Sequence, residues 1–181
     1  MKLKIYKDIN PIMHKKSAEV KLPLSQKDRE LLDAMIEHLK LSQNEEYRKT
    51  HNIREGVGLA AVQAGYLKRM FVIYYQKDDG QIVQYQIVNP KIVETSVKKC
   101  ALKNGEGCLS VDKEYSGYAH RYYKIRMRAF DALQNKDIEI VASGFDAVVL
   151  QHEYDHLDGI FFYDRIDKVK PLEQLSNEEL I

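Results

Sequence analysis

The sequence predicts an α+β fold of mainly antiparallel sheets around one buried central helix, and three observations lead there. Short β-branched and aromatic runs succeed one another through the middle of the chain, separated by turn-forming dipeptides. A late segment, 145–150, is apolar almost all round, the pattern of a helix buried on every side. Another helix, apolar on one face only, precedes the strands, so helices and strands do not alternate as a parallel sheet requires.

Taken in order, the chain opens with an extended arm containing Asn10-Pro11. Ser25, with Asp28 three positions on, reads as the capping box of a helix. Leu31, Leu32, Met35, Ile36 and Leu39 then recur at helical spacing on one face. The polar stretch 42–55 reads as the helix end plus an exposed loop. Residues 69–75 have strand composition and Asp79-Gly80 supplies a turn. Strands over 81–88 and 91–97 follow, broken at Asn89-Pro90. Residues 123–128 alternate as a half-buried strand does, and Asn135-Lys136-Asp137 turns the chain into a strand over 138–142. Ser143, with Asp146, is the expected N-cap of a helix running to about Asp158 and closed by Gly159. A short helix is expected after Pro171.

Composition narrows the function class. With 181 residues, 44% hydrophobic and 30% charged, the chain is expected to be one globular domain over 1–181. A net charge of +1 gives no electrostatic reason to expect a stable nucleic-acid or membrane partner. There is no apolar run of bilayer length, and the basic start, Met1-Lys2-Leu3-Lys4, lacks the apolar core of a secretory signal. The two cysteines, Cys100 and Cys108, are therefore expected to be reduced thiols in a cytoplasmic protein.

The strongest local signal is His152-Glu153-Tyr154-Asp155-His156. Histidines four positions apart on a helix lie one turn apart on the same face, so both imidazoles can reach one metal ion. Glu153 stands beside them, placed to handle the proton of an activated water. On a helix otherwise apolar, burying these groups without a partner would be costly. A catalytic metal site usually has three protein ligands and an open position. Gly159 fits one metalloprotease continuation, but Phe162 stands where a third histidine belongs; Glu173, Glu178 and Glu179 come late for a ligand from a downstream helix. Cys108, between Gly105, Gly107 and Ser110, is a better candidate, although a loop cysteine of purely structural role accounts for it as well. Cys100, ending a strand-like run, reads as a small core residue.

Three stretches in combination resolve this choice. Gly56-Val57-Gly58-Leu59-Ala60-Ala61-Val62-Gln63, Glu106-Gly107-Cys108-Leu109-Ser110 and Gln151-His152-Glu153-Tyr154-Asp155-His156 resemble, in order and approximate spacing, the motifs of peptide deformylases. The resemblance runs from the Asn-Pro near the start to about Asp164, and the long polar segment before Gly56 looks like the branch common in Gram-positive bacteria. It implies a hydrolase that removes the formyl group from the N-terminal methionine of newly made polypeptides. It further implies Cys108, His152 and His156 as metal ligands, Glu153 as general acid/base, and the Gln63 amide and Leu109 N–H as oxyanion donors. Val57, Gly58, Gly107, Leu109, Val148 and Val149 fall at positions near the methionine side chain or peptide backbone, although Val149 also suits plain core packing. The implied metal is iron(II), with zinc, nickel or cobalt able to substitute. A monomer with at most transient ribosome contact is the expected state.

Departures from the family pattern, Ala119 and His120 before Arg121 and Asp158 after His156-Leu157, bear on peptide preference. His120 itself reads as a surface or strand-edge histidine, not a fourth ligand. Two rivals remain: a small zinc peptidase, which needs another ligand after His156, and a non-enzymatic metal-binding domain, which needs a closed four-ligand site.

Overall fold

The computed structural model describes residues 3–181; Met1 and Lys2, the start of the basic arm, lie outside the described residues. The arm is not extended throughout. Pro11–His14 winds into a 3₁₀ turn because Pro11 is pre-set for a helical start and the Asn10 side chain accepts from the Ile12 N–H at 3.1 Å. Helix α1 (Gln26–Gln43) begins at Ser25, whose hydroxyl accepts from the Asp28 N–H and donates to the Asp28 carboxylate at 2.7 Å. Its predicted apolar face, Leu31 to Leu39, is buried. The polar stretch that follows is more structured than expected: residues Glu45–His51 form helix α2. The Asn44 side chain caps it at the Tyr47 N–H, with Glu45 and Glu46 in the first turn and Arg48, Lys49 and His51 in the last, matching the helix dipole at both ends.

Strands β1 (Gly58–Ala60), β2 (Met70–Gln76), β3 (Ile82–Thr95), β6 (Lys124–Asp131) and β7 (Lys136–Ser143) form an antiparallel sheet in the order β1-β2-β3-β6-β7. Strands β4 (Lys99–Ala101), β5 (Arg121–Tyr122) and β8 (Glu178–Leu180) form a second sheet, ordered β5-β4-β8, in which β4 and β8 are parallel. Asn89-Pro90 does not break β3. The pairing with β6 shifts register there, Asn89 takes φ 50°, and its side-chain amide exchanges two 2.8 Å hydrogen bonds with the Val20 backbone. A bulge thus absorbs the proline that lacks a ladder donor. The expected helix after Pro171 is absent among the described residues; turns lead into β8 instead.

Helix α3 (Phe145–His156) starts later than predicted and without the expected cap. Ser143 is the last residue of β7, Gly144 at φ 57° makes the strand-to-helix turn, and Asp146 accepts instead from the Tyr75 hydroxyl at 2.5 Å and Lys77 Nζ at 2.6 Å. Gly159, φ 72°, follows the helix where any side chain would strike the His14 backbone. Alternation along β2 divides the interior. Phe71, Ile73 and Tyr75 pack with Val149, Leu150 and Leu157 in one cluster, while Met70 and Val72 pack with Leu32, Met35 and Leu39 of α1 in the other. The result is α+β, with antiparallel sheets and three helices. Among the described residues no helix is long and apolar enough to cross a membrane.

Candidate functional site

Helix α3 sets His152 and His156 one turn apart, with ring centroids separated by 4.9 Å. The glycine-flanked loop after β4 brings Cys108 to them: its Sγ lies 3.3 Å from His156 Nε2. One donor atom from each of Cys108, His152 and His156 falls within 4.8 Å of the others, the single group of three such side chains found among the described residues. The 3₁₀ turn Ala61–Ala64 adds Gln63, anchored by its Oε1 accepting from the Ala60 N–H at 2.8 Å. Its Nε2 donates to Ser110 Oγ at 3.0 Å and lies 3.6 Å from Cys108 Sγ. The amide is therefore aimed at the cluster.

Behind the histidines runs a buried ion network that sequence reasoning missed. Glu106 Oε2 lies 2.8 Å from His152 Nδ1, and Arg121 donates to both Glu106 oxygens at 2.8 and 3.0 Å. Arg121 also donates to Asp155 Oδ2 at 2.5 Å, and Arg165 clasps Asp155 with bonds of 3.0 and 2.6 Å. Burial alone would neutralise Glu106, but the Arg121 charge, with His152, holds its carboxyl down at about 2. Burial likewise opposes charge on His152, yet hydrogen bonds to Cys108 and Glu106 push its pKa well above the usual imidazole value. Burial, then the charge of His152, pushes His156 well below it. Burial pushes the Glu153 carboxyl up to about 7, close to neutral pH.

These residues fit a divalent cation. Because Glu106 takes His152 Nδ1, Nε2 is left for a metal. One thiol and two imidazoles suit iron(II), zinc, cobalt or nickel, and three donors leave a position open. The extra proton that Cys108 and Glu106 favour on His152 is one that metal binding would release. Glu153 Oε2 is buried beside them without a hydrogen-bond partner, as is His156 Nδ1.

A cleft of about 300 Å³ opens over the cluster. Of the residues expected at the site, Val57, Gly58, Gln63, Gly107, Cys108, Leu109, Val148, Val149, His152 and Glu153 line it, and His156, fully buried, lies beneath. Val149 also belongs to the main core cluster. Arg54, Glu55, Leu102 and Phe145 line the cleft too and were not anticipated. Both glycines around Val57 stand close to the site: a side chain at Gly56 would meet Leu109 Cδ1 at 2.7 Å and displace that side chain, and one at Gly58 would run into the Glu153 carboxylate. The residues weighed for other sites lie elsewhere. Cys100 is fully buried in β4. His120 is part-buried, its Nδ1 2.7 Å from Glu178 Oε1, and is not part of the cluster. Asp158 accepts from Arg69 at 2.7 Å.

A thiol, two imidazoles and a buried carboxylate gathered at an apolar cleft, on an α+β scaffold, define a class: hydrolases whose site can hold a single metal ion. The chain belongs to the polypeptide deformylase family, whose profile matches residues 2–172. It is 46% identical over 169 residues to a peptide deformylase of Macrococcus caseolyticus, covering 93% of this chain and 91% of that protein. To peptide deformylase 2 of Bacillus subtilis it is 42% identical, covering 96% and 94%. These relatives agree with the Gram-positive branch read from the sequence. Among solved structures it is similar to the Met-Ala-Ser-bound class I type b peptide deformylase of Acinetobacter baumannii, with a TM-score of 0.72, 31% identity and coverage of 92% and 99%.

Proposed function

We propose that the chain is a peptide deformylase. It hydrolyses the formyl amide on the N-terminal methionine of newly made polypeptides, releasing formate and leaving the following peptide bond intact. The observation that carries this reading is the convergence of Cys108, His152 and His156 donor atoms within 4.8 Å of one another, beneath a cleft whose wall includes Glu153.

In this reading Cys108, His152 and His156 hold the metal, on the buried central helix that carries both histidines and the loop opposite it. When bound, the ion supplies Lewis-acid activation at neutral pH. Glu153 takes a proton from the attacking water and delivers it to the departing amine nitrogen, a task matched to a carboxyl lifted by burial to about 7. Gln63 Nε2 and the Leu109 backbone N–H receive the negative charge that develops on the formyl oxygen, one such donor contributing roughly 3 kcal/mol. Val57, Gly58, Gly107, Leu109, Val148 and Val149 bind the methionine side chain and adjoining backbone, since an apolar wall favours a flexible thioether by burial. The donor set and the family support iron(II) as the resident ion, with zinc, nickel or cobalt as substitutes.

We further infer one catalytic domain over 1–181, monomeric and cytoplasmic, meeting nascent chains at the ribosome through transient contact only. A net charge of +1 supports the absence of a stable nucleic-acid or membrane partner. The test is to incubate protein freshly loaded with iron(II), cobalt or nickel with formyl-Met-Ala and, separately, with Met-Ala. Formate release with an intact dipeptide is expected. Cleavage of Met-Ala without formate would establish a peptidase, and inertness of metal-loaded protein would establish a binding domain.

A further inference from the structure

We propose that Arg165 is a positioning residue for the metal site, acting on His152 through Asp155, Arg121 and Glu106. The inference rests on the reading of Cys108, His152 and His156 as ligands and extends it outward to the protein surface.

Geometry defines the relay. His152 Nδ1 sits 2.8 Å from Glu106, and Glu106 shares both oxygens with Arg121. Arg121 bonds Asp155 at 2.5 Å, and Arg165 closes on both Asp155 oxygens through Nε and Nη2. The inner members are almost sealed from water, with side-chain exposures of 3% for Glu106, 2% for Arg121 and 8% for Asp155, whereas Arg165 is 42% exposed. With His152 neutral, as a metal ligand must be, two carboxylates, Glu106 and Asp155, face two guanidiniums, Arg121 and Arg165, and the charges balance only with Arg165 present. Without it Arg121 alone must satisfy two buried carboxylates. Its pull toward Asp155 then competes with its hold on Glu106, and Glu106 is what fixes the His152 ring.

The segment carrying Arg165 also touches the ligand by a second path. The 3₁₀ turn Phe162–Arg165 lays Phe162 parallel to the His152 ring, with centroids 6.2 Å apart and an interplanar angle of 15°. The Arg165 carbonyl in turn accepts from the His120 N–H at 3.3 Å. Arg165 thus ties one short turn to α3 at Asp155, between the two histidine ligands.

The experiment uses the full chain loaded with zinc or cobalt(II) and reads metal loss to an excess of chelator, together with the visible spectrum of the cobalt form. Arg165→Gln should lose metal about threefold to tenfold faster than the parent, below the 10–100-fold typical of partners that touch a ligand directly. It should also shift the cobalt bands, because the His152 donor changes orientation. Arg165→Lys restores the charge without the two-point grip and should recover part of the retention. Arg126→Gln, which removes a surface arginine bridging Glu94 and Glu139, should match the parent. Equal retention and an unchanged spectrum in Arg165→Gln, with or without a lower melting temperature, would overturn the assignment while leaving the ligand set standing. A parent protein that holds no metal would overturn the ligand set and this assignment with it.

Discussion

At Gly58 a Cβ would occupy the space of the Glu153 carboxylate, so on the proposed reading the missing side chain is what leaves the general acid/base in place. Gly58→Ala should therefore retain metal yet lose roughly 30- to 100-fold in turnover, through displacement of a general acid/base. Formate release normalised to metal content checks this; near-normal turnover would mean that Glu153 has slack. Glu153→Gln keeps the shape but not the proton, and turnover should fall by roughly 100-fold or more in a folded, metal-loaded protein. Cys108→Ala should abolish metal binding while Cys100→Ala retains it, as measured by elemental analysis of the purified variants. The two histidines were legible in the sequence because few side chains bind metals and a four-residue helical spacing sets both on one face, whereas Cys108 was decided, and Gln63 and Leu109 entered, only through the resemblance to a family's motifs. The roles of Glu106, Arg121, Asp155 and Arg165 were not legible. Charged residues are normally solvated, and only three-dimensional burial shows that these four neutralise one another.

Elements with one exposed and one buried face were read correctly from periodicity. Helix α1 and β6 came out nearly as expected, since helical spacing or alternation maps directly onto burial, while β2, buried on both faces, was legible from its β-branched and aromatic composition. Elements whose ends depend on tertiary partners were not. Ser143 has the composition of a cap but is held in the β6–β7 ladder, opposite Lys124, and Asp146 serves Tyr75 and Lys77. Asn89-Pro90 reads as a strand end until the Val20 backbone is seen to satisfy the bulge. The strand β8 exists because β4 offers it an edge, a fact no local pattern carries. At this scale the cap of α1 gives a clean test. Ser25→Ala should cost about 1 kcal/mol, measured by denaturant titration, with metal content unchanged. A loss of metal in that variant would show that α1 and the site are coupled more tightly than their packing implies.

Across the whole molecule the two core clusters are built from apolar side chains rather than around the Cys108, His152 and His156 group. Of the three candidate ligands, Cys108 packs against the α3-side cluster, and neither histidine is one of its apolar members. Stripping the protein with a chelator should therefore lower the melting temperature by the linkage expected for loss of a native-state ligand, without abolishing the cooperative transition. Circular dichroism during a thermal scan checks this: collapse to an unfolded spectrum at room temperature would mean that the metal is part of the core.

The division of the interior by the five-stranded sheet has a practical consequence for altering this protein. Residues such as Leu32, Met35, Leu39 and Val88 lie with α1 on the side of the sheet away from α3, so thermal robustness can be sought there by repacking while the chemistry is left alone. Leu109 is an exception to respect, since it belongs to that same cluster and also lines the cleft. A combinatorial library confined to the α1 side, with Leu109 and its neighbour Gly56 fixed, would sample durability independently of substrate choice. The complementary library at Val57, Val148 and Phe145 would sample substrate choice against a constant background of durability.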